Sequence, residues 1–412
     1  MKIIKNKKCR ACGSTKFKQV IDLGETPLFV NNLLTDPDGE DPTYPLVVEQ
    51  CQKCFLSQIL DTVEADDLYH KTDYLFFSSD MPNLADYFKK YAQEVKKYLN
   101  YGDFVVEIGS NDGVFLQHMR EYNVLGVDPA TNVVLRALKK GIPTLSEFFS
   151  EQTARRIKEE WGQANLITGF NCIAHIDDLD GIMRGVKSLL TDKGVFVVEC
   201  NYWGDMIRNT SYSLIYHDHF SYFTLKNWVD YVKKFGMNVF DAMIPPAQGD
   251  TDDPKKKADA FNLRVFIDKG EREPTQRMKQ LLEEEADLHS YETVEKYAKD
   301  CKAQAKKFGD LVRKLKTEGK TIAGYGASAK AFTVFKLAEI NKEVDYFVDD
   351  SLAKQGKYAP ISHIPIQPRT NQNPDYFLIT APNYINVILN KEREYIKNGG
   401  KFITIEGEII NE

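Results

Sequence analysis

The sequence is short of histidine, with seven in 412 residues, of tryptophan, with three, and of positive charge. A formal net charge of −6 leaves no basic surface for a sequence-independent grip on nucleic acid, and no nucleic-acid partner is expected. No apolar run approaches the length of a membrane span, so no membrane partner is expected either. The start, MKIIKNKK, has no apolar signal-peptide core, and a cytoplasmic protein follows as the expectation. In that compartment the seven cysteines should be thiols or metal ligands, not disulfides. Apolar residues are not scarce: they make up 42% of the chain, enough for real cores. The length implies two or three domains.

Four of the cysteines stand near the front as two C-x-x-C turns, Cys9 with Cys12 and Cys51 with Cys54. Each turn presents two thiolates, and two turns supply the tetrahedral sulfur cage that zinc prefers. The 38 residues between the turns exceed the usual ribbon spacing. They hold a strand-like stretch from Lys18 to Asp22 and a returning run, YPLVVEQC, as in a hairpin. A redox role is the rival, disfavoured because two copies occur without a thioredoxin-like context. A closed four-sulfur site has no open position, so structural Zn2+ is expected.

An apolar strand from Phe104 to Ile108 runs into Glu107-x-Gly109-x-Asn111-x-Gly113, and a helix is expected from Val114. Glycines let the backbone approach a ligand, and a helix N-terminus offers free N–H donors. A second strand ends at Asp128, whose carboxylate is placed to accept both hydrogen bonds of a ribose diol. Dinucleotide enzymes share the layout but use G-x-G-x-x-G. E-x-G-x-x-x-G followed by V-D is the pattern of S-adenosylmethionine (SAM) methyltransferases. A third short strand carries Glu147 and Phe148, where the adenine would lie. A fourth leads to Asn171 and His175, then a helix Leu179 to Leu190, the turn TDKG, and a strand Gly194 to Cys200 with Glu199 near its end. Alternating strands and helices mean a doubly wound α/β sheet with its ligands at the strands' carboxyl ends.

The stretch SLIYHDHFSY, Ser213 to Tyr222, holds two of the seven histidines. In a strand, Tyr216 and Asp218 would face one way and His217 and His219 the other. A loop would bring all four into one cleft, and an aromatic edge strand with solvated histidines is the plainer possibility.

Taken in order, the cysteine pairs, DLGETPL, DYLFFSS, VVEIGSNDGVFL, FNCIAHIDDL, IYHDHFSYF, IAGYGASAK, VDDSLAKQGKY and HIPI resemble the nucleotide-sugar C-methyltransferases over nearly the whole chain. The resemblance implies a methyl branch placed on C-3 of a 4-keto deoxy sugar carried by a nucleoside diphosphate. It also implies three domains: a zinc-binding part at 1–72, a central class I SAM domain at 73–248, and at 249–412 a helical connector with a Rossmann-like domain. A monomer is expected. The family segment reads Y-H-E-H, which makes His219 the general base and Tyr216, Asp218 and His175 its partners; Asp218 is one methylene shorter than the family glutamate. A histidine suits the task because its ordinary pKa of about 6.5 lies near neutrality. Tyr74, Ser78 and Ser79 in DYLFFSS, with Asn171, are implied substrate contacts.

In the carboxyl-terminal half, the segment after Pro246 reads as a charged surface loop. The family has Gly-Gly-Ser before Leu-Arg; here Ala260, Phe261 and Asn262 precede Leu263 and Arg264. Arg264 is either a phosphate ligand or a surface strand residue. Val294, Tyr297, Ala298, Cys301, Ala305, Phe308, Leu311, Val312 and Leu315 form one buried helical stripe. Gly324-x-Gly326-x-x-Ala329, with Asp349 and Asp350 beyond it, reads alone as a dinucleotide fingerprint and so as an NAD-dependent oxidoreductase or epimerase. The resemblance instead makes it a wall of the sugar-nucleotide pocket, with Gly326 allowing close approach and Lys330 facing a phosphate. A zinc-ribbon RNA methyltransferase and a sugar O-methyltransferase are the other readings.

Overall fold

The computed structural model describes all residues except 1–2, 30–32, 70–73, 82, 247–261, 271 and 412. The charged loop after Pro246, with Ala260 and Phe261, therefore lies outside the described residues.

The central sheet has seven strands. Their spatial order is Asn238–Met243, Asn262–Asp268, Leu190–Asn201, Ala164–Phe170, Phe104–Ile108, Asn123–Asp128 and Thr144–Ser146. Only Asn262–Asp268 runs antiparallel to its neighbours. Val105, Val106, Leu166, Ile167, Val197 and Val198 are buried at 0% exposure, as strands covered on both faces require. The strand order reverses between Phe104–Ile108 and Ala164–Phe170, so a crevice opens beyond their carboxyl ends.

Three local expectations change. No α-helix starts at Val114: turns lead into a 3-10 turn, Leu116–His118. Val114, Phe115, Leu116 and Met119 are all buried, and the next strand begins at Asn123. A side-chain set buried on every side over so short a link does not make a regular one-faced helix. The TDKG turn is an irregularity within one strand, Leu190–Asn201, whose pairing shifts register between Leu190 and Val195. The strand containing Arg264 belongs to the central sheet, so that sheet extends past residue 248.

The front of the chain forms a four-stranded antiparallel sheet of Phe17–Pro27, Thr43–Cys51, Ser57–Ile59 and Ser221–Tyr222. The Ser221–Tyr222 strand joins it from about 160 residues further along the chain. The carboxyl-terminal sheet runs Ile366–Gln367, Tyr346–Val348, Ile322–Tyr325, Tyr376–Ile379, Lys401–Ile403 and Ile409–Ile410, parallel except for the last. The helical stripe lies on Tyr291–Thr317. All of it is buried except Leu311, which is partly so, and it shares one core with the front sheet and the carboxyl-terminal sheet. No helix among the described residues is long and apolar enough to cross a membrane.

Candidate active site

Residues 211–220 form turns, not a strand. Three parts of the molecule hold them. Tyr297 Oη donates to the Ser211 carbonyl at 2.6 Å, and Thr333 Oγ1 to the Ile215 carbonyl at 2.9 Å. The Phe220 N–H donates to the Ala174 carbonyl at 2.8 Å, and Ile59 N–H to the Phe220 carbonyl at 3.0 Å. Every one of these bonds uses a backbone carbonyl or N–H of the turn, so its path is fixed by the main chain.

That path separates the two histidines. His217 points into the front domain, where its Nε2 lies 3.3 Å from the Tyr44 carbonyl and 3.5 Å from Thr26 Oγ1. His219 faces a cavity of ≈540 Å3 whose wall includes Tyr74, Ser78, Gly109, Asn111, Asp128, Phe148, Asn171, His175, Tyr216 and Lys330. His219 Nδ1 is 2.7 Å from the Leu214 carbonyl, which can only accept, so Nδ1 carries the proton and Nε2 the lone pair. Burial, and then the neighbouring His175, hold His219 well below the usual histidine value, so the ring is neutral near pH 7. The His175 ring lies 4.9 Å from it and the Tyr216 ring 4.2 Å, centroid to centroid. His175 is pushed down to about 4 by burial. Burial raises Tyr216, which keeps its phenol proton.

Asp218 does not line the cavity. It is buried, its Oδ1 has no partner among the described residues, and burial pushes its carboxyl up to about 7. Its charge acts on Tyr69, Tyr74 and Tyr216.

On the donor side, Gly109 has φ +68°, and a Cβ there would stand 2.6 Å from the Cys172 Cβ. Asn111 takes φ +48° without being glycine. The Asn111 and Ala130 N–H groups donate to Asp128, each at 2.9 Å. Burial still raises Asp128 to about 6. Ser78 N–H donates to Asn111 Oδ1 at 3.0 Å, which ties the Phe76–Ser79 segment to the glycine turn. Asn171, at φ +49°, leaves its buried Oδ1 without a partner among the described residues. A carboxylate at a strand end, a close-approach glycine and an orphaned amide oxygen in one wall fit the ribose and polar edges of SAM.

Other expected contacts stand elsewhere. Glu107 is buried behind the wall, held well above the usual carboxylate range by burial and then by Asp128. Gly113 packs under Ile142, where a Cβ would meet Cδ1 at 2.5 Å. Glu147 turns to Arg156 and Thr153 rather than into the cavity. Ser79 binds Asp112. Gly326 closes against Ala381. Arg264 is a correction: its guanidinium is buried on Glu199, at 2.8 Å, and on Glu94, because antiparallel pairing sets Arg264 opposite Glu199. With Nη2 donating to Tyr87 Oη at 2.9 Å, all three guanidinium nitrogens are engaged and none is left for a phosphate; at 2% exposure Arg264 is not a surface strand residue either.

Sequence reasoning missed Asn201 and Tyr69, both in the cavity wall. The Asn201 amide nitrogen lies 3.3 and 3.4 Å from the two His219 ring nitrogens, beside the ring rather than in line with Nε2. Tyr69 Oη is 3.2 Å from His175 Nδ1. Asn201 was findable: it ends the strand in which Glu199 stands out.

The four sulfur atoms of Cys9, Cys12, Cys51 and Cys54 lie within 4.8 Å of one another, with Cys9–Cys54 and Cys12–Cys51 at 3.5 Å. A tetrahedron with Zn–S of about 2.3 Å has edges near 3.8 Å, so the cage fits zinc.

Residues 9–69 match the family described as "Putative zinc binding domain", 82–242 the "Methyltransferase domain", and 262–405 the "C-methyltransferase C-terminal domain". The C-methyltransferase NovU of Streptomyces niveus is 32% identical, across 96% of this chain and 94% of that protein. Among solved structures, a SAM-dependent methyltransferase from Archaeoglobus fulgidus overlaps 44% of this chain and 93% of its own, at 11% identity and a TM-score of 0.36. One from Clostridium acetobutylicum overlaps 46% and 93%, at 12% and 0.33. The relative spans both chains nearly end to end, and the three family matches fall in order along this one, so the chain belongs to the SAM-dependent C-methyltransferases.

Proposed function

We propose that the enzyme methylates C-3 of a 4-keto deoxy sugar carried on a nucleoside diphosphate. The observation that carries this is the neutral His219 ring, fixed through Nδ1 with the lone pair left on Nε2, in the same cavity as Asp128 and Gly109. Carbon needs such a base: only a C–H beside a ketone yields its proton easily, because the charge spreads onto the carbonyl oxygen. His219 Nε2 takes the C-3 proton. Tyr216 Oη and His175 face the oxygen on which charge develops and stabilise it by hydrogen bonding. Asp218 orients a neighbouring tyrosine. When bound, SAM supplies an electrophilic methyl on a positively charged sulfur. Asp128 holds its ribose hydroxyls, with Gly109, Asn111, Phe148 and Asn171 around it. Tyr74, Ser78 and Asn171 touch the sugar, and Lys330, in the first turn of the helix Ala329–Ala338, faces a phosphate.

The test is a panel of nucleotide-linked 4-keto sugars with SAM, the product read by NMR. A new C–CH3 signal at C-3 is expected. An O–CH3 signal, or turnover only of substrates without a ketone, would reject the proposal.

A further inference from the structure

Arg10 stands inside the first cysteine turn, yet its side chain leaves that turn for the active site. It is buried, with the guanidinium wedged among three segments. Arg10 Nη1 donates to the Ile59 carbonyl at 2.7 Å and the Phe220 carbonyl at 3.2 Å, and Arg10 Nε donates to Asp177 Oδ1 at 2.7 Å. Its carbon lies 5.5 Å from the Phe220 ring centre. Phe220 follows His219 directly, and Asp177 lies two residues after His175. Phe220 N–H in turn binds the carbonyl of Ala174, the residue before His175. Gln58 closes the circuit: its amide donates to Cys9 Sγ at 3.2 Å and its carbonyl accepts the Arg10 N–H at 3.2 Å.

A planar guanidinium fork reaches several acceptors at once, and here Nε and Nη1 are bonded while the buried Nη2 has no partner among the described residues. A staple for the front domain alone would not need those acceptors on the two histidine loops. We propose that Arg10 is a positioning residue, through which the zinc-bound turn sets the distance and tilt between His175 and His219. This rests on the proposed roles of those histidines. It gives the cysteine cage a consequence for catalysis without any metal chemistry at the substrate.

The experiment labels histidine side chains with 15N in the zinc-loaded full chain and compares wild type with Arg10→Gln, Asp177→Ala and Asp177→Asn. His175 and His219 signals should shift in Arg10→Gln and Asp177→Ala, while His363, which sits against Pro37 and Asp41, stays put and zinc stays at one per chain. Asp177→Asn keeps an acceptor oxygen and should restore the wild-type signals. Turnover should fall about a hundredfold in the first two variants, the scale set by small misplacements, with little change in KM. The two losses should add less than fully in the double variant, since both cut the Arg10–Asp177 bond. Unchanged His175 and His219 signals in a zinc-loaded Arg10→Gln protein would overturn the proposal. Should Arg10→Gln lose its metal, Asp177→Ala decides by the same signals, because Asp177 lies outside the cysteine turn. The signals need no substrate, so they separate failure of the positioning role from failure of the proposed sugar chemistry.

Discussion

The turn after Phe104–Ile108 and the turn after Ile322–Tyr325 share a frame. Each follows a buried strand and has a glycine at positive φ, Gly109 or Gly326. Each glycine N–H donates to the carbonyl just before an aspartate, Val127 at 2.8 Å or Val348 at 2.7 Å. Each aspartate, Asp128 or Asp349, accepts a backbone N–H from its turn at 2.9 Å. They part at the next contact. Among the described residues Asp128 accepts only backbone N–H groups, and it faces the cavity. Asp349 is paired with Lys354 at 3.0 Å, and Lys354 also binds the Ala327 carbonyl. A glycine turn becomes a ligand site only where a neighbouring body leaves the strand ends open and the carboxylate unneutralised. The second turn, with its own lysine, is built as structure, which counts against the NAD reading.

Ala65 and Tyr69 of the front domain line the cavity that the first turn faces, so the comparison breaks most severely when that domain is lost. Structural zinc contributes folding energy outright, about 10–16 kcal/mol in small zinc-finger domains. Cys51→Ser should therefore lose metal and solubility together, checked by metal analysis and gel filtration. A folded metal-free chain, or stoichiometric iron, would contradict this.

Asp128→Ala and Asp349→Ala sharpen the contrast directly. The first removes charge-assisted hydrogen bonds to ribose, roughly 1.5–3 kcal/mol each, so SAM affinity should drop at least tenfold by calorimetry. The second should leave SAM affinity unchanged and lower thermal stability, since Lys354 and the Ala327 N–H lose their acceptor. Equal loss of affinity in both variants would erase the distinction.

A smaller effect is expected at Gly326. A Cβ there meets the Ala381 Cβ at 2.8 Å with φ +99°, so Gly326→Ala should cost about 1–3 kcal/mol of stability and spare SAM binding. Denaturant titration and calorimetry together check it.

The mildest prediction concerns pH. Asp128 ionises at about 6, and its charged form is the better acceptor for ribose. SAM affinity should weaken as pH falls through about 6 in wild type, and Asp128→Asn should flatten that slope. His219, held below the usual histidine value, stays a competent base where an ordinary histidine is already protonated, so the acid limb of turnover should lie below pH 6.5.

Much of the chain was legible because it rests on local chemistry. Phe104–Ile108 is an apolar run ended by glycine, and the stripe on Tyr291–Thr317 repeats every three or four residues. The cysteine cage was legible too, since each half is a single turn. What sequence could not reveal depends on partners far away. Arg264 meets Glu199 only because strands 65 residues apart pair in one register. The Tyr216–His219 stretch alternates like a strand, yet contacts from three bodies hold it as turns. His217 and His219 still face opposite ways, but through turn geometry. Arg10 carried no signal at all, because its meaning lies in carbonyls of Ile59 and Phe220.

The most direct test follows the C-3 proton of a bound 4-keto sugar nucleotide in deuterated water, with SAM replaced by its demethylated product. Wild type and His217→Asn should exchange that proton. His219→Asn should bind both ligands but lose exchange by about 10²–10⁴-fold. Full exchange in His219→Asn, or its loss in His217→Asn alone, would contradict His219 as the base.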